Sequence, residues 1–549
     1  MKKILWVMLA AAIVLTYAVY DKVPPHKAPI NIDADRLAGN IKILASDEFE
    51  GRAPASAGEE KTINFLKTEF ERLGLKPGNG DSYFQDVKMV EIAASPDAVM
   101  TVMTPDGALN LKYGPDFMGW TKRVQEQVSV TDSDMIFVGY GVNAPEYDWN
   151  DYEGVDVKGK TVVVLVNDPG FATQNPDLFT GNAMTYYGRW TYKYEEAARQ
   201  GAEAVIIVHE TAPAAYPWAV VEGSWSGPLF SLESPDGNMS RVALETWIQG
   251  SQMAKIFVAA GYDYQEMTKR AATRDFKAVP LKSKMSLALE NKIRHVVSRN
   301  VAAVLPGSDR ADEYIIHMSH WDHFGRDASL EGDQIYNGAA DNASGTAGLI
   351  ELANAYVSGV RQPRRSVMFM AVTAEEQGLL GSAYYSKNPL APLHKTVAAI
   401  NIDVLPYHGK THDITIVGYG NSELDDYVDR AVRKQKRIAN PDPEPEKGGF
   451  YRSDHFSLSK EGVPALYFEG GVNHVTHGRD WMLAQIADYT ANRYHKPSDE
   501  YSEDWDLSGA AQDLKLIYRI GLQLAQEDSF PNWRDGNEFK AKRDAMMKE

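Results

Sequence analysis

From residue 298 onward, short unbroken apolar runs alternate with segments of helical period. The runs are Val301–Leu305, Tyr314–Ser319, Val367–Ala374, Val397–Ile402 and Ala465–Phe468. Strands and helices in alternation predict an α/β sheet with covering helices. This pattern restricts the chain more than any other feature of its 549 residues.

Three of these strands end in polar residues of one chemical kind, and a helix start adds a fourth position. Tyr314–Ser319 runs into His320-Trp321-Asp322-His323, Val367–Ala374 ends in Glu375-Glu376, and Val397–Ile402 ends in Asp403. Asp341 leads the segment Asp341-Asn342-Ala343-Ser344-Gly345, which opens a helix. In an open α/β sheet the ligand crevice lies beyond the carboxyl ends of the strands. Carboxylates and imidazoles gathered there repel and desolvate one another unless a cation neutralises them. A pair of divalent ions does so.

The chain has no cysteine, which excludes disulfides, thiolate metal sites and a cysteine nucleophile. Histidine and carboxylate donors without thiolate suit zinc, with cobalt or manganese as the other ions that fit. The neighbouring side chains of Glu375 and Glu376 point differently, so one can coordinate while the other stays free as a general base. Asp322, two residues after His320, is placed to accept the second N–H of that imidazole. Singly these features are weak. A Glu-Glu pair is ordinarily solvated surface, and Asp-Asn-Ala-Ser-Gly alone is no more than a helix cap. The ordered series, each member at a strand end or helix start, carries the reading.

The length suggests two domains, or one large domain with an insertion. A formal charge of −18 argues against nucleic acid as a partner, since that needs a basic face. At the N-terminus, Lys2 and Lys3 precede an apolar run from Ile4 to Tyr20, broken at Asp21, Lys22 and Pro24. Residues 1–25 therefore read as a signal peptide or an N-terminal anchor. The expectation is an exported protein, periplasmic or secreted, with membrane association through an uncleaved segment as the alternative.

A helix over about Asp33 to Ala45 and another over about Ser56 to Leu73 follow, the second with Ile63, Leu66, Phe70 and Leu73 on one face and Gly74 at its stop. Residues 132–278 differ in texture. They contain the strand-like runs Met135–Gly141, Lys160–Val166 and Ala204–Val208, are rich in Gly, Pro and aromatics, and hold no cluster of acids, bases or ligands. They read as an inserted domain within a discontinuous one formed by residues 26–131 and 279–549. Asn440 to Lys447 reads as an exposed loop.

The series Ser319–Gly325, Asn337–Gly345, Ala374–Gly378, Ile400–Asp403, Arg452–Phe456 and Tyr494–Asp499 resembles the M28 family of zinc peptidases, and Leu44–Arg52 resembles its bacterial members. The resemblance implies a mixed central sheet with helices on both faces, the zinc exopeptidase fold. It also implies an inserted, mainly β protease-associated (PA) domain. Two Zn2+ ions are implied, one held by His320 and Asp403 and the other by Glu376 and His495. Asp341 bridges them, and Glu375 is the general base for attack by a hydroxide held between the ions. The peptide bond after Asp341 is implied to be cis. Ala340 and Val404 depart from residues common in the family, but neither supplies a ligand.

Tyr494, beside His495, is the candidate donor to the oxyanion, and Tyr451 is its rival. Of the other histidines, His317 reads as core, His455 as pocket lining, and His474 and His477 as loop; spacing alone would allow His323 as a ligand, but the family resemblance assigns that role to His320. The expected activity is release of N-terminal residues from peptide substrates. The alternatives are a carboxypeptidase-like dipeptidase or a glutaminyl cyclase on the same fold, or a catalytically dead receptor-like protein. A full ligand set with Glu375 argues against the single-metal cyclase and the dead site.

Overall fold

The computed structural model describes residues 30–548. The N-terminal segment expected to direct export lies outside the described residues.

The central sheet is mixed. Its middle is four parallel neighbours in the order Arg365–Val372, Arg310–His320, Thr396–Ile402 and Ala465–Glu469. Antiparallel strands close both sides, Val279–Leu305 and Phe84–Ala94 on one and Asp413–Val417 on the other. Every residue of Arg365–Val372 and Thr396–Ile402 is buried, as strands covered on both faces require. Helices Gly345–Val357 and Ser508–Gln526 pack on one face through Leu349, Leu352, Leu514 and Ile517, together with Ala34–Leu44 through Leu37 and Ile41. Leu458 and Tyr385 of two shorter helices cover the other face.

The register decides where the chemistry falls. Arg310–His320 lies between two parallel strands, with His320 opposite Val372 and Met318 opposite Asn401. The segments that follow all three strands thus emerge at one edge, bringing His320, Glu375, Glu376 and Asp403 to a common crevice.

The early helices appear at Ala34–Leu44 and Ala57–Arg72. Each is capped by a side chain that accepts two backbone N–H groups, Asp33 in the first and Ser56 in the second. The change of sequence texture at residue 132 does not mark a change of sheet. Strands Val99–Thr104, Gly107–Lys112 and Phe117–Trp120 already pair within the second sheet, alongside Gln127–Phe137, Thr161–Leu165, Ala204–His209 and Leu244–Gln249. This layer is also less purely β than expected, since helices Trp190–Arg199, Gly250–Ala259 and Tyr264–Ala271 cover it. The strand Val279–Leu305 belongs to both sheets. Its first half pairs with Gln127–Phe137 and its second with Phe84–Ala94 and Arg365–Val372.

The second layer docks beside the crevice. Met184 N–H donates to the Pro445 carbonyl (3.1 Å), Lys460 Nζ pairs with Glu195 (2.8 Å), and the Tyr186 ring packs against Phe456 at 5.1 Å.

Candidate metal centre

Asp341 lies at the middle of the site. Its Oδ1 is 3.3 Å from Nε2 of His320, and its Oδ2 is 3.3 Å from Nε2 of His495. Asp403 Oδ1 approaches His320 Nε2 at 3.2 Å, and Glu376 Oε2 approaches His495 Nε2 at 3.2 Å. The five residues thus form two sets that share one carboxylate. Two donors about 2.0–2.1 Å from a tetrahedral ion sit roughly 3.3 Å apart, so these spacings fit a divalent cation in each set. His320, Asp341 and Asp403 place one donor atom each within 4.8 Å of one another.

The local backbone explains how Asp341 reaches this position. The turn Ala339–Ser344 is irregular at Asp341 and Asn342, and the Asp341–Asn342 peptide bond is cis, as the family resemblance implies. The Asn342 side chain closes the turn, accepting from Gly345 N–H (2.8 Å) and Val404 N–H (3.1 Å) and donating to the Ile402 carbonyl (3.1 Å). Asp499 accepts the N–H groups of Ala340 and Asp341 at 3.1 Å each. It belongs to the segment that carries His495, so this imidazole from the distant loop and the central carboxylate are fixed together.

Asp322 acts differently from the expected arrangement. His320 Nδ1 lies 3.2 Å from the backbone carbonyl of Asp322 and 3.8 Å from its carboxylate. The carboxylate instead accepts Glu375 N–H (3.1 Å) and Glu376 N–H (3.4 Å), fixing the turn that presents both glutamates. The two backbone N–H groups of the turn after Val372 take the carboxylate, and the Asp322 carbonyl is left facing the imidazole.

Burial pushes the Glu375 carboxyl well above the usual carboxylate range, and the charges of Asp403, Glu376 and Asp454 push the same way against the pull of His320. Glu375 lies close enough to His320 and Glu376 to form a third donor group with them. Tyr494 is 42% exposed and its ring stacks on His495 at 3.8 Å, while desolvation of the phenol and then the negative charges of Asp341, Glu376, Glu375 and Asp403 hold its pKa up. Tyr451 points elsewhere, donating to Glu538 at 2.8 Å.

His323 is buried and donates from Nδ1 to Glu376 Oε1 at 2.6 Å. It also forms a donor group with Asp341 and Glu376, so the structure leaves it beside the centre along with His320. His317 is core, 3.1 Å from the Tyr356 hydroxyl. His455 does not line a pocket. It is fully buried between Phe450 and Tyr467. His474, expected in a solvated loop, is buried and stacks on His477 and Trp481. Two contributors carry no role in the sequence reading. Ser453 donates to Asp403 Oδ2 at 2.6 Å, and Asp499 holds the Asp341 turn. Both lie within the family-like motifs, which was the only signal for them.

The family model described as Peptidase family M28 matches residues 300–518, the stretch that supplies every residue of this centre. Over this stretch the chain is similar to peptidase family M28. The M28 segment is similar to part of Aminopeptidase NAALADL1 of Mus musculus, 31% identical over 137 residues that cover 24% of this chain and 17% of that protein. It is also similar to a Glutamate carboxypeptidase 2 homolog of Caenorhabditis elegans, 29% identical over 221 residues that cover 38% of this chain and 26% of that one. The chain therefore spans about a quarter or less of these relatives. Among solved structures, an aminopeptidase from Aneurinibacillus sp. strain AM-1 shares the fold, with a TM-score of 0.50, 20% identity and coverage of 92% of this chain and 97% of that one.

Proposed function

We propose that the chain is a zinc-dependent exopeptidase that removes N-terminal residues from peptides. It would hold two zinc ions, one on His320 and Asp403 and the other on Glu376 and His495, with Asp341 shared. The observation that carries this reading is the Asp341 carboxylate, whose two oxygens each face a different imidazole at 3.3 Å. When bound, such ions polarise a peptide carbonyl and lower the pKa of a water.

The side chains around them supply the rest. Glu375, whose side chain has no hydrogen-bond partner among the described residues, takes a proton from the attacking water and passes it to the leaving amine. The Tyr494 hydroxyl donates to the oxyanion. Asp322 and Ser453 hold Glu375 and Asp403 in place. The second layer, read as a PA-like insert, forms one wall of the substrate cleft through its 184–195 segment. Export through the N-terminal segment, and access there to peptides, belong to the same proposal.

One observation favours a carboxypeptidase-like or dipeptidase reading as the second choice. Arg189 of the second layer and Arg452, one residue before Ser453, have no carboxylate partner among the described residues, and Nε of Arg189 is buried without a hydrogen-bond partner. In this second reading they would receive the substrate carboxylate.

The test is an assay of aminoacyl substrates, N-blocked peptides and dipeptides with free or amidated C-termini, before and after chelation and with zinc added back. Loss on chelation and recovery with zinc, with N-blocked substrates resistant, is expected. Hydrolysis that survives complete metal removal overturns the proposal. Cleavage of N-blocked peptides that depends on a free C-terminus selects the second reading.

A further inference from the structure

Arg52 ends the turn Asp47–Arg52, and its side chain points into the interior, leaving the residue 1% exposed. Its guanidinium pairs with no carboxylate among the described residues. It donates to four backbone carbonyls instead: Nε to Trp321 (2.9 Å), Nη1 to Leu44 (2.7 Å) and Asn337 (2.7 Å), and Nη2 to Gly338 (2.9 Å). Its own carbonyl accepts His323 N–H at 3.3 Å.

These contacts join three separate pieces of chain: the end of helix Ala34–Leu44, the turn that carries His320 and His323, and the loop that leads into Asp341. That loop is gripped from two sides. Arg52 takes the carbonyls of Asn337 and Gly338, while Asp499 takes the N–H groups of Ala339 through its carbonyl (2.9 Å) and of Ala340 and Asp341 through its carboxylate. Between the two grips the loop delivers Asp341 to His320 and His495.

Carbonyls can be satisfied by neutral donors, and burying a cation is costly unless opposite charge compensates it. Acids around the site compensate it, Asp499 and Asp322 among them, neither of which is a proposed ligand. Burial lowers the Arg52 pKa to about 10, against the upward pull of Asp499, Asp322, Asp341 and Glu376. An arginine supplies rigid, coplanar donors that reach several acceptors at fixed angles, whereas a lysine offers one point of charge.

We propose that Arg52 is a positioning residue of the metal centre, setting the spacing of His320 and Asp341 by clamping the carbonyls of Trp321, Asn337 and Gly338. The inference rests on the metal-centre reading above. Support of this kind changes metal affinity by about 10–100-fold when removed.

The test is titration of cobalt into metal-free full-length protein, read by its visible absorption and by calorimetry, for wild type, Arg52→Lys, Arg52→Gln and the control Arg365→Lys. Arg365 is equally buried and pairs with Glu313 at the opposite end of the sheet. Arg52→Lys should bind cobalt at least about tenfold more weakly and with an altered spectrum, while Arg365→Lys, even if less stable, should bind as wild type does. For a variant that folds only in the presence of metal, the rise of the thermal midpoint with added zinc is the measure, and it should be smaller than in wild type. Wild-type cobalt affinity and spectrum in Arg52→Lys, or an undiminished zinc-dependent rise, overturn the clamp and leave the centre standing. Failure of the wild-type protein itself to bind cobalt overturns the centre and the clamp with it.

Discussion

Ser453 Oγ donates a 2.6 Å hydrogen bond to Oδ2 of Asp403, while Oδ1 of the same carboxylate faces His320 at 3.2 Å. One oxygen is therefore held by the protein and the other is left for a cation. Asn401 in turn donates to Ser453 Oγ at 2.6 Å, so the serine proton is committed to Asp403. Ser453→Ala removes this hold and leaves the five proposed ligands in place. Its affinity for zinc, measured by competition with a chelator, should fall by about tenfold. An unchanged affinity would show that Asp403 is oriented by its strand alone.

The Glu375 side chain has no hydrogen-bond partner among the described residues, and its backbone is fixed by Asp322. Glu375→Gln keeps the shape and removes the base. The variant should bind cobalt as wild type does and lose about 10²–10⁴ in kcat. Near-normal turnover would remove Glu375 from the chemistry.

How much of this was legible in the sequence depends on what holds each residue. His320, Glu376 and Asp403 follow buried parallel strands whose apolar runs are unmistakable, so their convergence could be read from residue types alone. His495 follows no strand. It reaches the centre on the segment that Asp499 ties to the Asp341 turn, and no local pattern announces such a tertiary contact. Arg52 is harder still, because its partners are backbone carbonyls, which leave no mark in the sequence. The second sheet was partly readable. Leu281, Met285, Leu287 and Leu289 alternate with exposed or polar residues in the first half of Val279–Leu305, a period-two signal that begins just after the boundary placed at 278. The hairpin of Val99–Lys112 is short and half exposed, so its apolar positions are too few to stand out.

The two tyrosines weighed as oxyanion donors separate cleanly by partner. Tyr451 spends its hydroxyl on Glu538, whereas the ring of Tyr494 stacks on His495. Tyr494→Phe should lower kcat by about 100-fold with KM changed less than about twofold. Tyr451→Phe should leave kcat near wild type. The reverse ranking in steady-state kinetics would reassign the role.

His317 gives the fold a dependence on pH that is separate from the centre. It is fully buried, with Tyr356 at 3.1 Å and Phe369 stacked on its ring, and burial pushes its pKa down from 6.5 to about 3. Above pH 6.5 the imidazole is neutral in folded and unfolded chains alike, so it contributes no slope. Between about 6.5 and 3 the unfolded chain takes up a proton that the folded chain refuses, and stability falls as pH falls, by about 1.4 kcal/mol per pH unit. His317→Gln retains a donor for Tyr356 and removes the titration. Urea unfolding at pH 7 and pH 5 under one metal condition should therefore show wild type losing about 2 kcal/mol more than the variant over that interval. Equal losses would mean that His317 is protonated within the fold, which requires an acceptor that its apolar surroundings do not provide.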